Sequence, residues 1–357
     1  MIEQRGQFIQ DILISENLDA LLIFGLTNIR YLSGFTGTDG VLLIKDDESV
    51  FLTDSRYFSQ AQEQVSTDRI CCYNNKLQEV ADELSTGGSQ RVGFDADSVS
   101  VAMFEGLSGL TGPLQWTPLS TQLQALRGIK TEKELAALKA AANLNHQAFD
   151  AVLPLIQPGV TEREIALELE FVLKRLGGEA NAFDFIVASG LRGALPHGVA
   201  SEKKMVAGDL LTIDFGTRVD GYHSDETVTL AIGEVDRKLR QIFDIVLEAH
   251  DLALAAIQPE MPICDLDAVA RDYIASKGYA EYFGHSLGHG VGLDVHEYPA
   301  VSARTEQKLL AGMVITVEPG IYIPDVGGVR IEDTVVVTTG GFEALTSIPK
   351  QFTQIQN

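Results

Sequence analysis

Apolar positions in the first third of the chain come in short unbroken runs. Residues 20–24, 40–44 and 50–53 are nearly all aliphatic or aromatic, which is the pattern of short buried strands rather than of amphipathic helices. Between them, Asn28-Ile29-Arg30-Tyr31-Leu32-Ser33-Gly34-Phe35-Thr36-Gly37 carries two glycines and predicts a loop. Thr53-Asp54-Ser55-Arg56-Tyr57 predicts the start of a helix, with Asp54 or Ser55 as its N-cap. Past Arg127 the periodicity lengthens. Residues 131–157 and 235–258 predict long helices, and each closes on an Ile-Gln-Pro tripeptide, Ile156-Gln157-Pro158 and Ile257-Gln258-Pro259, before a second helix. Thr131 with Glu134, and Thr161 with Glu164, have the spacing of capping boxes.

The two long-helix segments head two halves of a repeat. Gly208-Asp209-Leu210-Leu211-Thr212-Ile213-Asp214-Phe215-Gly216 matches Gly312-Met313-Val314-Ile315-Thr316-Val317-Glu318-Pro319-Gly320, with Gly, Thr, an acid and Gly in register. Each copy is followed by another acidic strand, Gly221-Tyr222-His223-Ser224-Asp225-Glu226-Thr227 and Gly328-Val329-Arg330-Ile331-Glu332-Asp333-Thr334, again with Gly, an acid and Thr in register. The repeat is too long for a solenoid and predicts one duplicated α+β domain whose halves face a central site. An apolar strand seldom carries an acid at its centre, because burying a lone carboxylate is expensive. Asp214, Asp225, Glu318 and Glu332 therefore need a shared positive partner, and a pair of divalent metal ions is the simplest one.

Composition narrows the setting. The chain has 357 residues and a formal net charge of −23, which argues against binding nucleic acid through its phosphates and against an anionic membrane surface. No apolar stretch is long enough to span a bilayer and no charged leader opens the chain. Cys71, Cys72 and Cys264 lack the number and spacing of a disulfide framework, and Cys71 and Cys72 read as strand residues. These features predict a cytoplasmic protein. Residues 1–127 read as a small α/β domain without chemistry of its own, and residues 128–357 as the chemistry-bearing domain.

Histidines supply the remaining donor. His285, His289 and His296 lie in Gly284-His285-Ser286-Leu287-Gly288-His289-Gly290-Val291-Gly292-Leu293-Asp294-Val295-His296-Glu297, between the two acidic hairpins. His289 is flanked by Gly288 and Gly290, which allow close approach of backbone and metal.

These motifs resemble those of the pita-bread metallopeptidase family, which includes methionine aminopeptidase, Xaa-Pro aminopeptidase (aminopeptidase P), prolidase and creatinase. The N-terminal part resembles the extra domain of the Xaa-Pro peptidase and creatinase branch in Tyr31-Leu32-Ser33-Gly34-Phe35 and Asp54-Ser55-Arg56-Tyr57. The resemblance implies a pita-bread fold with a pseudo-twofold duplication. It implies Asp214 as a ligand of one metal, Asp225 and Glu332 as bridges, and His289 and Glu318 as ligands of the other metal. It also implies Glu318 as the acceptor of a proton during attack, His296 as a stabiliser of the tetrahedral intermediate, and His197 as a proton-transfer residue. His285 is implied on the proline side of the substrate site, and Arg330 beside the bridging carboxylates and substrate. Arg304 resembles an arginine that holds a dipeptide's terminal carboxylate. Two positions depart from the family pattern: Thr227 is followed by Val228 where an arginine is common, and Ala311-Gly312 replaces Pro-Gly.

The implied activity is removal of the first residue from peptides of the form Xaa-Pro, in the manner of Xaa-Pro aminopeptidase, with a prolidase restricted to dipeptides as the alternative. A creatinase-like hydrolase without metal and a catalytically inactive interaction module fit less well, since all five metal-ligand positions are intact. Two divalent ions are expected, manganese first, with cobalt, zinc and iron also suited to one imidazole among carboxylates. The expected partners are short proline-containing peptides and a second copy of the chain, with neither nucleic acid nor membrane.

Overall fold

A computed structural model of the chain describes residues 3–356, and their side chains from residue 5. Contacts divide the chain into two compact units, Met1–Arg127 and Gly128–Asn357. In the first unit the elements run α1 (Glu3–Ser15), β1 (Ala20–Ile23), α2 (Leu26–Ser33), β2 (Val41–Lys45), β3 (Ser49–Thr53), α3 (Phe58–Gln64), β4 (Arg69–Cys72), α4 (Lys76–Thr86), β5 (Arg91–Asp95), α5 (Val101–Thr111), β6 (Gln115–Leu119) and α6 (Thr121–Ala125). The strands form one mixed sheet in the order β4-β3-β2-β1-β5-β6. The apolar runs are its strands β1, β2 and β3, and Cys71 and Cys72 lie on β4 with free thiols.

Two local expectations in this unit are corrected. The segment from Asn28 is not a loop until after Ser33: α2 buries Ile29, Tyr31 and Leu32, and Gly34 stops it as a left-handed cap with φ 83°. One of the glycines that suggests a loop is a helix terminator, a role glycine fills because it has no Cβ. Asp54 and Ser55 do not cap a helix, since α3 begins at Phe58 without a side-chain cap. The Asp54 carboxylate is instead turned onto its own loop, accepting the Arg56 N–H at 2.8 Å and pairing with the Arg56 guanidinium at 2.6 Å.

The second unit opens with α7 (Glu132–Val152) and α8 (Glu162–Arg175), followed by β7 (Ile186–Ser189), β8 (Leu210–Phe215), β9 (Arg218–Val219), β10 (Tyr222–His223) and β11 (Glu226–Ile232). Its second half repeats the plan: α9 (Arg237–Ala256), α10 (Ile263–Ser276), β12 (Gly288–Gly290), β13 (Glu297–Val301), β14 (Val314–Val317), β15 (Gly320–Ile323), β16 (Gly327–Arg330), β17 (Asp333–Thr338) and β18 (Gly341–Ala344), with β19 (Gln354–Ile355) at the end. Thr131 and Thr161 both form full capping boxes, with Glu134 and Glu164. Each helix pair packs on its own sheet. Phe149, Ile165, Leu169, Ile213 and Phe215 belong to one core; Phe243, Ile274, Ile315 and Val335 belong to another.

The duplication is visible in the sheets. One has the order β19-β11-β8-β7 and the other β13-β12-β14-β17-β18, so β7-β8-β11 corresponds to β12-β14-β17. The correspondence is not exact in register. Asp214 pairs with Thr227 in the first copy, whereas Thr334, the counterpart of Thr227, pairs with Thr316, two residues before Glu318. A shift of two residues preserves which face each side chain occupies, where a shift of one would reverse it. The acids of both copies therefore stay on the same side. Threonines then stitch the halves together: Thr229 Oγ1 donates to Arg330 O at 2.8 Å, and Thr334 Oγ1 to Asp225 O at 2.7 Å.

Candidate active site

Asp214 sits on β8, Asp225 just ahead of β11, Glu318 just past β14 and Glu332 just ahead of β17. With His289 on β12 they line one cavity of about 500 Å³, whose wall also includes His197, His285, His296, Tyr322 and Arg330. That size is typical of a small-ligand site. Asp225, His289 and Glu332 offer donor atoms that all lie within 4.8 Å of one another. His289 Nε2 is 3.2 Å from Glu318 Oε1 and 3.6 Å from Asp225 Oδ2. Its Nδ1 lies 3.1 Å from Gly290 O; a carbonyl can only accept, so Nδ1 carries the proton and Nε2 is left to face the acids. The flanking glycines serve the backbone: a Cβ on Gly288 would collide with Thr316 O, and one on Gly290 with Tyr298 O. They let β12 lie between β13 and β14, which carries His289 to the acids.

Arg330 is the hub of the opposite wall. Its Nη2 reaches Asp214 Oδ2 at 2.5 Å, its Nη1 donates to Tyr322 Oη at 2.8 Å and to Pro196 O at 3.0 Å, and its Nε donates to Thr227 Oγ1 at 3.3 Å. Thr227 Oγ1 in turn donates to Glu332 Oε2 at 2.7 Å. Tyr322 lies 3.0 Å from His285 Nε2, while His285 Nδ1 lies 2.8 Å from Ser286 O. The same carbonyl argument puts the proton on Nδ1, so the tyrosine donates to Nε2 and accepts from Arg330. Tyr322 is a site residue that the sequence reading missed.

The charges do not balance among these side chains. Burial, and then the neighbouring Glu332, Asp214 and Glu318, push Asp225 well above the usual carboxylate range. Burial and the charges of Glu318 and Asp214 do the same to Glu332. Burial also raises Asp214, against the pull of Arg330. For Glu318 burial is outweighed by the hydrogen bond and charge of His289, which bring it down to about 2. Burial opposes protonation of His289, but Glu318 prevails and raises it. Asp214 Oδ1 is buried without a hydrogen-bond partner. Acids crowded until their pKa values rise, an orphaned carboxylate oxygen and an imidazole nitrogen aimed at them are what a divalent cation would satisfy. The donor set fits the metal ions that the sequence implies.

His197 and His296 both open onto the cavity. The His296 ring centroid is 4.2 Å from that of His289, and burial, followed by the neighbouring His289 and His197, lowers its pKa. Its imidazole is neutral near neutral pH and carries one N–H donor. His197 stands on the segment between Ser189 and Ser201, which is fastened by the fully buried Glu162. Glu162 Oε1 accepts from the Ser189 N–H at 2.7 Å and hydroxyl at 2.9 Å, and Oε2 from Arg192 Nε at 2.9 Å and the Ser201 hydroxyl at 2.6 Å. An acid in the first turn of α8 reads in sequence as a helix-dipole residue; nothing local marks it as the anchor of a loop.

Arg304 is not brought to the site. It is exposed in the turn after β13, outside the cavity wall, with its backbone N–H on Ser302 Oγ at 3.4 Å. The expected role on a dipeptide's carboxylate therefore has no support from its position in this chain.

Known proteins share the fold and sequence over nearly the whole chain. The profile of metallopeptidase family M24 matches residues 136–339, and that of the Creatinase/Prolidase N-terminal domain matches residues 5–129. An Xaa-Pro dipeptidase from Pyrococcus horikoshii is 36% identical over 98% of this chain and 99% of its own length. The structure of an Xaa-Pro dipeptidase from Bacillus anthracis superposes with a TM-score of 0.96 at 42% identity, covering 99% of each chain. An X-Pro aminopeptidase structure from Thermotoga maritima superposes with a TM-score of 0.87 at 37% identity, covering 95% of this chain and 98% of its own. Profile, identity and superposition agree over nearly the whole length, so this chain belongs to metallopeptidase family M24, in the branch that carries a creatinase/prolidase N-terminal domain.

Proposed function

We propose that the chain hydrolyses the bond between an N-terminal residue and a following proline, dipeptides and longer peptides alike, with two divalent ions held by Asp214, Asp225, His289, Glu318 and Glu332. The observation that carries this reading is the crowding of four carboxylates and an imidazole on one cavity, with the Asp214 Oδ1 atom unpartnered. When bound, the ions would supply Lewis acidity, polarising the scissile carbonyl and making water nucleophilic near neutral pH. Asp214 is assigned to one ion, Asp225 and Glu332 to both, and His289 and Glu318 to the other. Manganese suits an oxygen-rich set with one imidazole. A homodimer is proposed from the family resemblance and a cytoplasmic setting from the composition and cysteine usage; among the described residues no helix is long and apolar enough to cross a membrane.

The side chains then divide the work. Glu318, ionised at neutral pH, takes the proton of the attacking water. His296 donates its N–H to the oxyanion that forms as water adds to the carbonyl carbon. His197, on the same cavity, relays to the proline nitrogen, as the C–N bond breaks, the proton that Glu318 took from the water, which leaves both side chains as they began. Arg330, Tyr322 and His285 fix the Asp214 carboxylate in place. Phe183, Ile186, Val199 and Val295 give the cavity an apolar side suited to a pyrrolidine ring. The X–Pro amide has no N–H, so selectivity comes from shape. Replacing His296 with alanine is expected to lower kcat by about 10²–10³ with metal content unchanged, as kinetics beside elemental analysis would show. Full activity would refute its role.

A dipeptide-only activity is the second reading, and the relatives named Xaa-Pro dipeptidases favour it. The site offers a dipeptide's carboxylate little, because Arg330 already donates to Asp214, Tyr322, Thr227 and the Pro196 carbonyl and Arg304 stands outside. A kcat/KM series from Ala-Pro to five-residue Ala-Pro peptides, with Met-Ala peptides as control, decides between them. Longer peptides are expected to be cleaved within about tenfold of the dipeptide, a difference near 1.4 kcal/mol, and Arg304→Ala to be silent. Cleavage confined to dipeptides would establish the second reading.

A further inference from the structure

The two hairpins carry a second pair of acids that the cavity does not use. Glu226 directly follows Asp225, and Asp333 directly follows Glu332, so the pair obeys the same duplication as the candidate bridging ligands. Neighbouring residues in a strand face opposite sides. Glu226 and Asp333 accordingly turn away from the cavity, and both are buried. They meet one cation. Lys350 Nζ is 2.7 Å from Glu226 Oε1 and 3.4 Å from Asp333 Oδ1, and it is itself buried.

Lys350 belongs to the segment between β18 and β19, and that segment grips both hairpins. The Ile348 N–H donates to Glu226 Oε1 at 2.9 Å, and the Thr346 hydroxyl donates to Asp333 Oδ1 at 2.7 Å. His250 on α9 places Nε2 3.2 Å from Asp333 Oδ2. Further on, β19 pairs in parallel with β11. A buried ion pair of this kind seldom adds net stability over well-packed apolar side chains, because desolvation offsets the attraction. What it does provide is a fixed distance between the elements that carry it.

We propose that Lys350 is a positioning residue for the metal centre: by tying the acid beside Asp225 to the acid beside Glu332, it holds the two hairpins at the spacing at which their carboxylates can share the same ions. The inference rests on the metal assignment under Proposed function. Asp225 and Glu332 come from different halves of the duplication, joined on the cavity face by hydrogen bonds from Thr227, Thr229 and Thr334 and by the contact of Arg330 with Asp214. Lys350 makes the matching connection on the other face of the same two strands.

The test is calorimetric titration of Mn²⁺ into the metal-free full chain, with thermal unfolding measured alongside. The triple variant, Glu226→Gln, Asp333→Asn and Lys350→Met, removes these three charges together, and His250 keeps Asp251 Oδ1 at 3.1 Å from its Nδ1. It is expected to keep the wild-type unfolding temperature within a few degrees and to bind Mn²⁺ at least tenfold more weakly. Should the triple variant fail to fold, Glu226→Gln alone decides, since it cuts one arm and leaves Lys350 neutralised by Asp333; a threefold or greater loss of affinity is expected. Wild-type affinity and stoichiometry in the variant that folds would overturn the role of Lys350. A wild-type chain that takes up no ion would instead overturn the metal assignment.

Discussion

Replacing Glu332 with glutamine is expected to bring hydrolysis down to background and to leave the chain short of at least one ion. The substitution keeps the shape of the side chain, and its amide oxygen can still accept from Thr227 Oγ1, which now donates to Glu332 at 2.7 Å. What disappears is one negative charge at the point where the two duplicated hairpins converge. If Glu332 contributes to both ions, as proposed, its loss loosens both, whereas loss of His296 spares them. Asp225→Asn should behave alike, because Asp225, His289 and Glu332 offer donor atoms that lie within 4.8 Å of one another. Elemental analysis of dialysed protein beside kcat/KM on Ala-Pro is the check. A Glu332→Gln enzyme that keeps two ions and activity within tenfold of the parent would remove the bridging assignment.

Stripping the metal should reverse the usual dependence of stability on pH. In the metal-free chain Asp225, Glu332 and Asp214 have carboxyl groups held above their ordinary range by burial and by one another. A group whose folded pKa exceeds its unfolded value stabilises the fold fully below the unfolded pKa, about 3.9 for Asp and 4.3 for Glu. That contribution is lost as pH rises through the folded pKa. His289, raised on balance by Glu318 against the effect of burial, acts in the same direction at higher pH. Glu318 runs the other way, but its window lies below its unfolded value, down to about 2, so it is constant above pH 5. The metal-free protein should therefore melt on the order of 5 °C lower at pH 8 than at pH 5, given about 2–4 °C per kcal/mol for a domain of this class. Saturating Mn²⁺ should restore the loss, since a ligand that binds only the folded state stabilises it. Scanning calorimetry at both pH values, with and without metal, would show it. A metal-free chain that is equally stable at both would mean that the acids are not crowded.

The candidate site was largely legible because its residues are written twice. Asp214, Asp225, Glu318 and Glu332 stand in matching positions of a repeat, and an acid inside an apolar strand violates the burial rule strongly enough to be noticed. His289 was legible through its glycines, although those serve the approach of neighbouring strands. Residues that act at a distance in sequence were not legible. Tyr322 reads as an ordinary aromatic of an apolar strand until Arg330 and His285 are seen around its hydroxyl. Glu162 reads as an acid in a first helical turn, and its hold on Ser189 and Ser201 exists only after folding. Arg304 shows the converse case, a charge matched by position in a motif that the fold sets in an exposed turn. In the first unit the strands are plain in sequence, but Gly34 reads as loop and instead ends α2, since glycine marks both.

The unequal pairing of the two hairpins sets the step size by which this architecture can drift. Asp214 faces Thr227 in one copy, while the other copy is slid by two positions along its partner strand. Side chains alternate faces with a period of two, so even-numbered slips leave both sets of acids pointing inward, and odd ones would expel a set to the far face. Between the copies the pairing has slid by two positions and kept its parity, although the segment from Asp214 to Asp225 is shorter than that from Glu318 to Glu332. Parity, more than identity of sequence, is what the two halves still share.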